Sequence, residues 1–141
     1  LEYTRKNFLP NLFILPHKNY KELPKLLTKM DILLLPYTKS VTAAGNVSDI
    51  TNYTSPLKLF DYMAAGKLIM SSNIKVLKEI LKDEYDCIFI KNYLNPFGWL
   101  KEIRKIQNNI LKRNIIAKNS FIKVDKYHHK KRVMKYLEAI N

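Results

Sequence analysis

The sequence is short of cysteine, of acidic residues and of long apolar runs, and each shortage removes a class of protein. A single cysteine, Cys87, has no partner for an internal disulfide, so the chain is not a disulfide-stapled scaffold. Set between Asp86 and Ile88, it reads as a small core residue in a reducing compartment. One cysteine and three histidines are too few for a structural zinc site, and no metal is expected. The longest apolar runs, such as residues 32–35, fall far short of the roughly 20 residues of a membrane-spanning helix. No cationic, apolar leader opens the chain, so nothing marks export, and a first residue Leu1 suggests a piece of something longer. Internal repeats and low-complexity tracts are lacking as well.

What is present fits one folded domain, residues 1–141, with 47% apolar and 26% charged residues. The acid deficit leaves a formal charge of +13. Basic chains bind nucleic acid or anionic membranes. Here Lys far outnumbers Arg and is scattered among Asn and Ile, which looks like a background bias, so nucleic acid is not expected as a partner. The densest cluster, His128, His129, Lys130, Lys131 and Arg132, falls on a terminal helical pattern. It is either the solvated face of that helix or a contact for an anionic membrane surface.

Along the chain, short apolar runs alternate with helical periodicity. Residues 11–15 read as a buried strand stopped by Pro16, followed by a helix through Tyr20, Leu23, Leu26, Leu27 and Met30. Residues 32–35 are a second run, closed by Pro36, and Leu57, Phe60, Met63 and Ala64 form the next helical face. Residues 68–70 precede Val76, Leu77, Ile80 and Leu81. Residues 87–90 precede Phe97, Leu100, Ile103 and Ile106. A break is expected near Asn119 and Ser120, then a last helix carrying Val133, Leu137 and Ile140. Strands that are apolar throughout belong to a parallel sheet covered on both faces, so the class is α/β, with about four strands and flanking helices.

One connection differs. Residues 36–55 show no periodicity and are rich in Thr, Ser, Asn and Gly. Such a loop at the carboxyl end of a strand is either a ligand-ordered segment, the usual place for a site in an open α/β sheet, or a disordered surface loop. It enters a sharply bounded helix: Ser55 suits the N-cap, Pro56 the first turn and Gly66 a left-handed C-terminal cap. The first turn leaves the N–H groups of Leu57 and Lys58 unpartnered at the positive end of the helix dipole, with the Lys58 side chain beside them. That end suits a phosphate. It is equally a capped helix with an incidental Lys. Asp61, one turn on, is placed to accept sugar hydroxyls or is simply a solvated charge.

The stretch "SPLKLFDYMAAGKLIMSS", residues 55–72, resembles the donor-site segment of retaining glycosyltransferases of family 4, which have the GT-B fold. "LPHKNYKELPKLLTKMDILLLPYT", residues 15–38, resembles the segment before it, so the likeness covers roughly residues 11–90. The resemblance implies a truncated, Rossmann-like carboxyl-terminal domain that holds a nucleoside diphosphate sugar. Its own N-terminal domain, absent here, would hold a glycan or lipid-linked acceptor. It also implies a cytoplasmic, hexosyltransferase-type enzyme of polysaccharide biosynthesis, at most peripheral to the inner membrane face, with no metal or other cofactor.

That family spaces two Glu residues eight apart across the loop and helix, the first on the donor sugar and the second on the ribose. The second falls on Asp61, a shorter acid that needs a closer approach. The first falls on Tyr53, which supplies no carboxylate. Pyrophosphate contacts carry over to Leu57, Lys58 and the Ser55 hydroxyl, beside Thr54, and the base would lie near Pro16 and His17. Lys58 is then the catalytic residue, meeting charge on the leaving pyrophosphate. His17 polarises a reactant or is structural. In the usual strand order 3-2-1-4-5-6, loss of two upstream strands separates the run at residues 11–15 from the others, which must then re-pair, swap or fray. Two alternatives stay open: a non-catalytic nucleotide-binding module, and a basic nucleic-acid or membrane-surface domain. The fragment alone is expected to be inactive.

Overall fold

Runs with apolar or small side chains at every position can bury both faces, and three such runs form the sheet. In the computed structural model, which describes residues 10–38 and 57–127, β1 (Ile32–Leu35), β2 (Leu68–Ser72) and β3 (Ile88–Ile90) lie parallel in the order β1-β2-β3. Ile32 pairs with Leu68 and Leu35 with Ser71, while Met70 pairs with Ile88 and Ser72 with Ile90. Around the sheet run α1 (Leu23–Leu27), entered through a 3-10 turn at Tyr20–Glu22, then α2 (Leu57–Ala64), α3 (Lys75–Lys78), α4 (Pro96–Ile106) and α5 (Ile110–Val124). A second 3-10 turn, Asp125–Tyr127, follows α5. No helix among the described residues is long and apolar enough to cross a membrane.

The period of two divides β2 between two cores. Ile69 packs with Leu35, Leu59, Met63, Leu77 and Phe89 under α2 and α3. Leu68 and Met70 pack with Ile88, Ile90, Ile106 and Ile116 under α4 and α5. Each fully buried Leu, Ile or Met contributes roughly 1.5–3 kcal/mol, so the central strand and its covering helices carry most of the stability. Helix α5 reaches both cores: Ile116 sits in the second, while Val124 and Tyr127 at its end pack on the first, with the Phe60 and Tyr127 rings 5.3 Å apart.

Several sequence expectations are corrected. Residues 11–15 form no strand, and Leu12, Phe13, Ile14 and Leu15 are exposed, Phe13 by 80%. The sheet therefore has three described strands rather than about four. No strand among the described residues pairs with the run, and without a ladder to satisfy its backbone it stays irregular. On α2 the buried residues are Leu59 and Met63, with Phe60 half-buried; Leu57 and Ala64 are exposed. On α4 only Ile106 of the expected face is fully buried. The break expected near Asn119 and Ser120 falls instead just before Ile110, where Asn109 Oδ1 caps α5 by accepting from Lys112 N at 3.0 Å. Asn119 and Ser120 stay helical because tertiary structure uses them: Asn119 Nδ2 donates to Tyr85 O at 2.8 Å and Ser120 is buried. Residues 36–55 fall mostly, and the terminal helical pattern with His128 to Arg132 falls wholly, outside the described residues.

The turn at 82–87 is clamped to α5. The buried Asp86 carboxylate accepts from Lys123 Nζ at 2.6 Å and from Lys82 N at 2.7 Å. Lys112 reaches Glu84 at 3.0 Å. Cys87 behind them is a core residue as expected. Burial pushes its thiol far above the ordinary range; the Asp86 and Asp83 carboxylates add to this and Lys123 opposes it. The thiol is therefore unreactive in the folded chain.

Two substitutions test these constraints by urea unfolding. Lys123→Met strands a buried carboxylate and is expected to cost about 3–5 kcal/mol. Lys105→Met, which breaks only the exposed pair with Glu102, should cost no more than about 0.5–1 kcal/mol; equal losses would refute the assignment. In Gly98→Ala the new Cβ would lie 2.3 Å from the Asn92 carbonyl oxygen. Helix propensity gains about 1 kcal/mol, but the clash is with backbone beside the Trp99 Nε1 bond to Tyr93 O at 2.8 Å. The expected net result is a loss of about 1–3 kcal/mol, and a rise in stability would overturn that reading.

Candidate functional site

The chain leaves β1 through Pro36, which has no N–H to continue the ladder with β2. Side chains take over. Ser72 Oγ accepts from Tyr37 N at 2.8 Å and donates to Tyr37 O at 3.0 Å, and Ser71 Oγ donates to Leu35 O at 3.2 Å. Both serines are fully buried, so these bonds satisfy groups that would otherwise be orphaned at the carboxyl end of the sheet. Tyr37 packs against the first core, where burial and then the neighbouring Tyr62 raise its phenol above the ordinary range. The start of the long β1–α2 connection is thereby held at one point. Sequence reasoning missed Ser71 and Ser72; two small hydroxyls after an apolar run, opposite an X-Pro strand exit, were the signal available.

A parallel β1–β2 pair requires α2 to run back along the sheet, which places its first turn at the carboxyl ends of the strands. Leu57 and Lys58 lie in that first turn, both exposed. Lys58 makes no hydrogen bond or ion pair among the described residues. Asp61 follows one turn later, half-buried. The helix ends as its composition implies: Gly66 takes φ +63, and its N–H donates to Met63 O at 3.1 Å while Ala65 N donates to Asp61 O at 3.0 Å.

Asp61 is met from 41 residues upstream. Tyr20 donates its phenolic O–H to Asp61 Oδ1 at 2.9 Å. That hydrogen bond, then the carboxylate charge, hold the Tyr20 phenol above its ordinary range. Asn19 fixes the 3-10 turn that carries Tyr20, accepting from Lys21 N at 3.2 Å through its side chain and from Glu22 N at 2.9 Å through its carbonyl. Between α1 and α2 lies a recess of about 240 Å³, walled by Leu23, Pro24, Leu27, Ala64 and Ala65, with Tyr20 and Asp61 among its polar lining.

Of the residues singled out from sequence, Leu57, Lys58 and Asp61 thus share one helix at one end of the sheet. His17 is exposed in the irregular segment before Tyr20, with no hydrogen bond to any of them. Tyr53, Thr54 and Ser55 lie outside the described residues. Tyr20 was missed: its spacing counted it into an apolar helical face, yet it is 69% exposed and tied to Asp61. No local pattern announces a contact across 41 residues. A larger recess, about 470 Å³, lies along β3 and α4 at the other edge of the sheet. Its charges are mixed, and Lys105 already pairs with Glu102 at 2.7 Å. No group of three or more potential metal ligands gathers among the described residues.

A family model described as Glycosyl transferases group 1 matches residues 4–123. No curated protein matches the chain. Among solved structures, a crystal structure of Anabaena Alr3699/HepE in complex with UDP-glucose aligns over 98% of this chain with a TM-score of 0.70 and 12% identity. The match covers 35% of that longer chain, and at this identity it speaks for the fold.

The serine clip is testable. Ser72→Ala removes both partners of Tyr37, and a part-buried N–H left unpaired costs about 1–3 kcal/mol. Hydrogen exchange of the Tyr37 amide should accelerate markedly in the variant. Unchanged protection would mean the β1 exit is held by something else.

Proposed function

The chain belongs to the group 1 glycosyl transferases, with the Rossmann-like sheet of a GT-B carboxyl-terminal domain, and from that premise we propose that it is the donor-binding part of a retaining, hexosyltransferase-type enzyme. The donor is a nucleoside diphosphate sugar and the acceptor a glycan or a lipid-linked saccharide. Residues 1–141 act as one domain, and a separate N-terminal domain of the same enzyme holds the acceptor. The reading places the enzyme in the cytoplasm, in polysaccharide biosynthesis, with the basic residues 128–132 against the anionic inner face of the membrane.

One observation carries this proposal: Lys58, which makes no hydrogen bond or ion pair among the described residues, stands in the first turn of α2, where helix N–H groups have no partner within the helix, with a carboxylate one turn deeper. A Lys there opposes the helix dipole by about 0.3–1 kcal/mol, and an anion between the two removes the conflict. The pyrophosphate of the donor is that anion. As the glycosidic bond breaks, negative charge grows on the β-phosphate, and the Leu57 and Lys58 N–H groups with the Lys58 ammonium meet it without reorganising. Lys58 is the catalytic residue in this sense. Ser55, with Thr54 and Tyr53 before it, approaches the phosphates and the donor sugar from the loop. Asp61 takes the ribose hydroxyls and His17 lies on the side of the base.

The proposal gives a graded result in calorimetric titration with uridine and guanosine diphosphates. The chain binds one of them weakly and transfers no sugar alone, because transfer needs an acceptor held in line with the anomeric carbon. Lys58→Ala loses a charge-assisted contact, about 1.5–3 kcal/mol. Asp61→Asn loses less, and replacing Lys131 and Arg132 changes nothing. If the Lys131 and Arg132 change abolishes binding while Lys58→Ala leaves it intact, a salt-dependent basic surface replaces the donor site as the explanation.

A further inference from the structure

We propose that Tyr20 touches the donor directly: its phenolic oxygen, with its proton committed to Asp61, accepts a ribose hydroxyl at the rim of the α1–α2 recess. The inference rests on the donor-site reading above and adds to it a residue from the opposite wall. Tyr20 Oη donates to Asp61 Oδ1 at 2.9 Å. A phenol has one proton, so this bond leaves its oxygen with lone pairs only, as an acceptor for an incoming O–H. A carboxylate partner also polarises the phenol, which strengthens the next bond in the chain.

The accessibilities agree with this order. Asp61 is half-buried, whereas Tyr20 is 69% exposed, so an approaching hydroxyl meets the phenolic oxygen more readily than the engaged carboxylate oxygen. The Asn19 side chain and carbonyl hold the backbone of the Tyr20 turn, and the bond to Asp61 orients the phenol. The recess itself is apolar apart from Tyr20, Asp61 and the Thr28 hydroxyl, and that hydroxyl is bound to Pro24 O at 3.0 Å. At about 240 Å³ it is smaller than the pockets of about 300–1,000 Å³ that enclose whole ligands. It suits a single ring whose carbon face rests on Leu23 and Ala64 and whose hydroxyl edge meets the Tyr20–Asp61 pair. The pair acts as one extended acceptor, the carboxylate supplying the charge and the phenol the reach.

The test titrates the 141-residue chain with the nucleoside diphosphate it binds and with the 2′-deoxy and 3′-deoxy forms of that nucleotide. Removing the hydroxyl that meets Tyr20 should weaken binding to the unaltered chain by roughly three- to tenfold. Tyr20→Phe, which keeps the ring, should weaken the full nucleotide by the same factor and bind the corresponding deoxy form no worse than the unaltered chain does. Lys58→Ala should lower affinity for all three nucleotides alike and keep the discrimination. Because the readout is a ratio between ligands, a general loss of stability cannot imitate it. If Tyr20→Phe discriminates as the unaltered chain does while Asp61→Asn weakens binding, Tyr20 is not a donor contact and the site reading survives. If neither Lys58→Ala nor Asp61→Asn changes binding, the donor site itself is wrong and the inference falls with it.

Discussion

β2 is hydrogen-bonded on both edges and packed on both faces, and the position of every other element follows from that double demand. A parallel strand cannot turn back on itself, so each neighbour must arrive by a crossover helix, and each helix must cover an apolar face. Because β2 is buried from Leu68 to Ser72, α2 and α3 are held on one side and α4 on the other, with α5 reaching both cores. The first turn of α2 is thereby delivered to the carboxyl end of the sheet. The same strand ends in two serines whose hydroxyls continue the ladder past Pro36. Core and site are therefore one construction: the strand that anchors the apolar packing also fixes where the long connection leaves the sheet.

The edges show what the demand costs when it is not met. β1 has Leu33 and Leu35 buried but Leu34 exposed by 42%, so one of its faces is incompletely covered. At the other edge β3 is protected by its own approach turn, where Asp83 Oδ1 accepts from Phe89 N at 2.9 Å. Helix α5 then ties distant pieces together by charge as well as packing. Arg113 reaches Asp31 at 3.7 Å ahead of β1, and Lys123 reaches Asp86 at 2.6 Å ahead of β3. The first of these is exposed on the acid side and contributes little. The second is enclosed, and its value lies in specifying the packing of α5, since either charge alone in that place would be unfavourable.

What could be read in advance divides along the range of the forces. The apolar runs at 32–35, 68–70 and 87–90 announced a parallel sheet because burial on both faces needs apolar residues at every position. The left-handed end of α2 was visible in Gly66 alone. Residues 11–15 carry the same composition as a strand and yet form none, because a strand also needs an edge to pair with, and no local pattern records whether one exists. Asn119 and Ser120 looked like a helix break for the same reason in reverse: the Asn119 amide serves Tyr85, and Ser120 is packed inside the fold, neither of which the local pattern records. The placement of Lys58 and Asp61 on α2 was legible because helix position is local. Tyr20 was not, since its contact with Asp61 depends on how two helices are set against one sheet.

That difference bears on how such a site is built. In the proposed site the charge offered to the donor sits on a regular element, and Lys58 there works against its own helix. A net charge of +13 acts in the same direction, drawing anions toward the chain from a distance, but it is screened beyond about 8 Å at physiological salt and cannot choose among them. Choice requires groups that fail when the wrong ligand is present, which means polar atoms fixed in place before binding. The Tyr20–Asp61 hydrogen bond is already made in the free chain, and it joins the capped turn before α1 to α2. Attraction is therefore distributed over many interchangeable lysines, whereas in the site as proposed discrimination would rest on one bond between two elements that only the completed fold brings together.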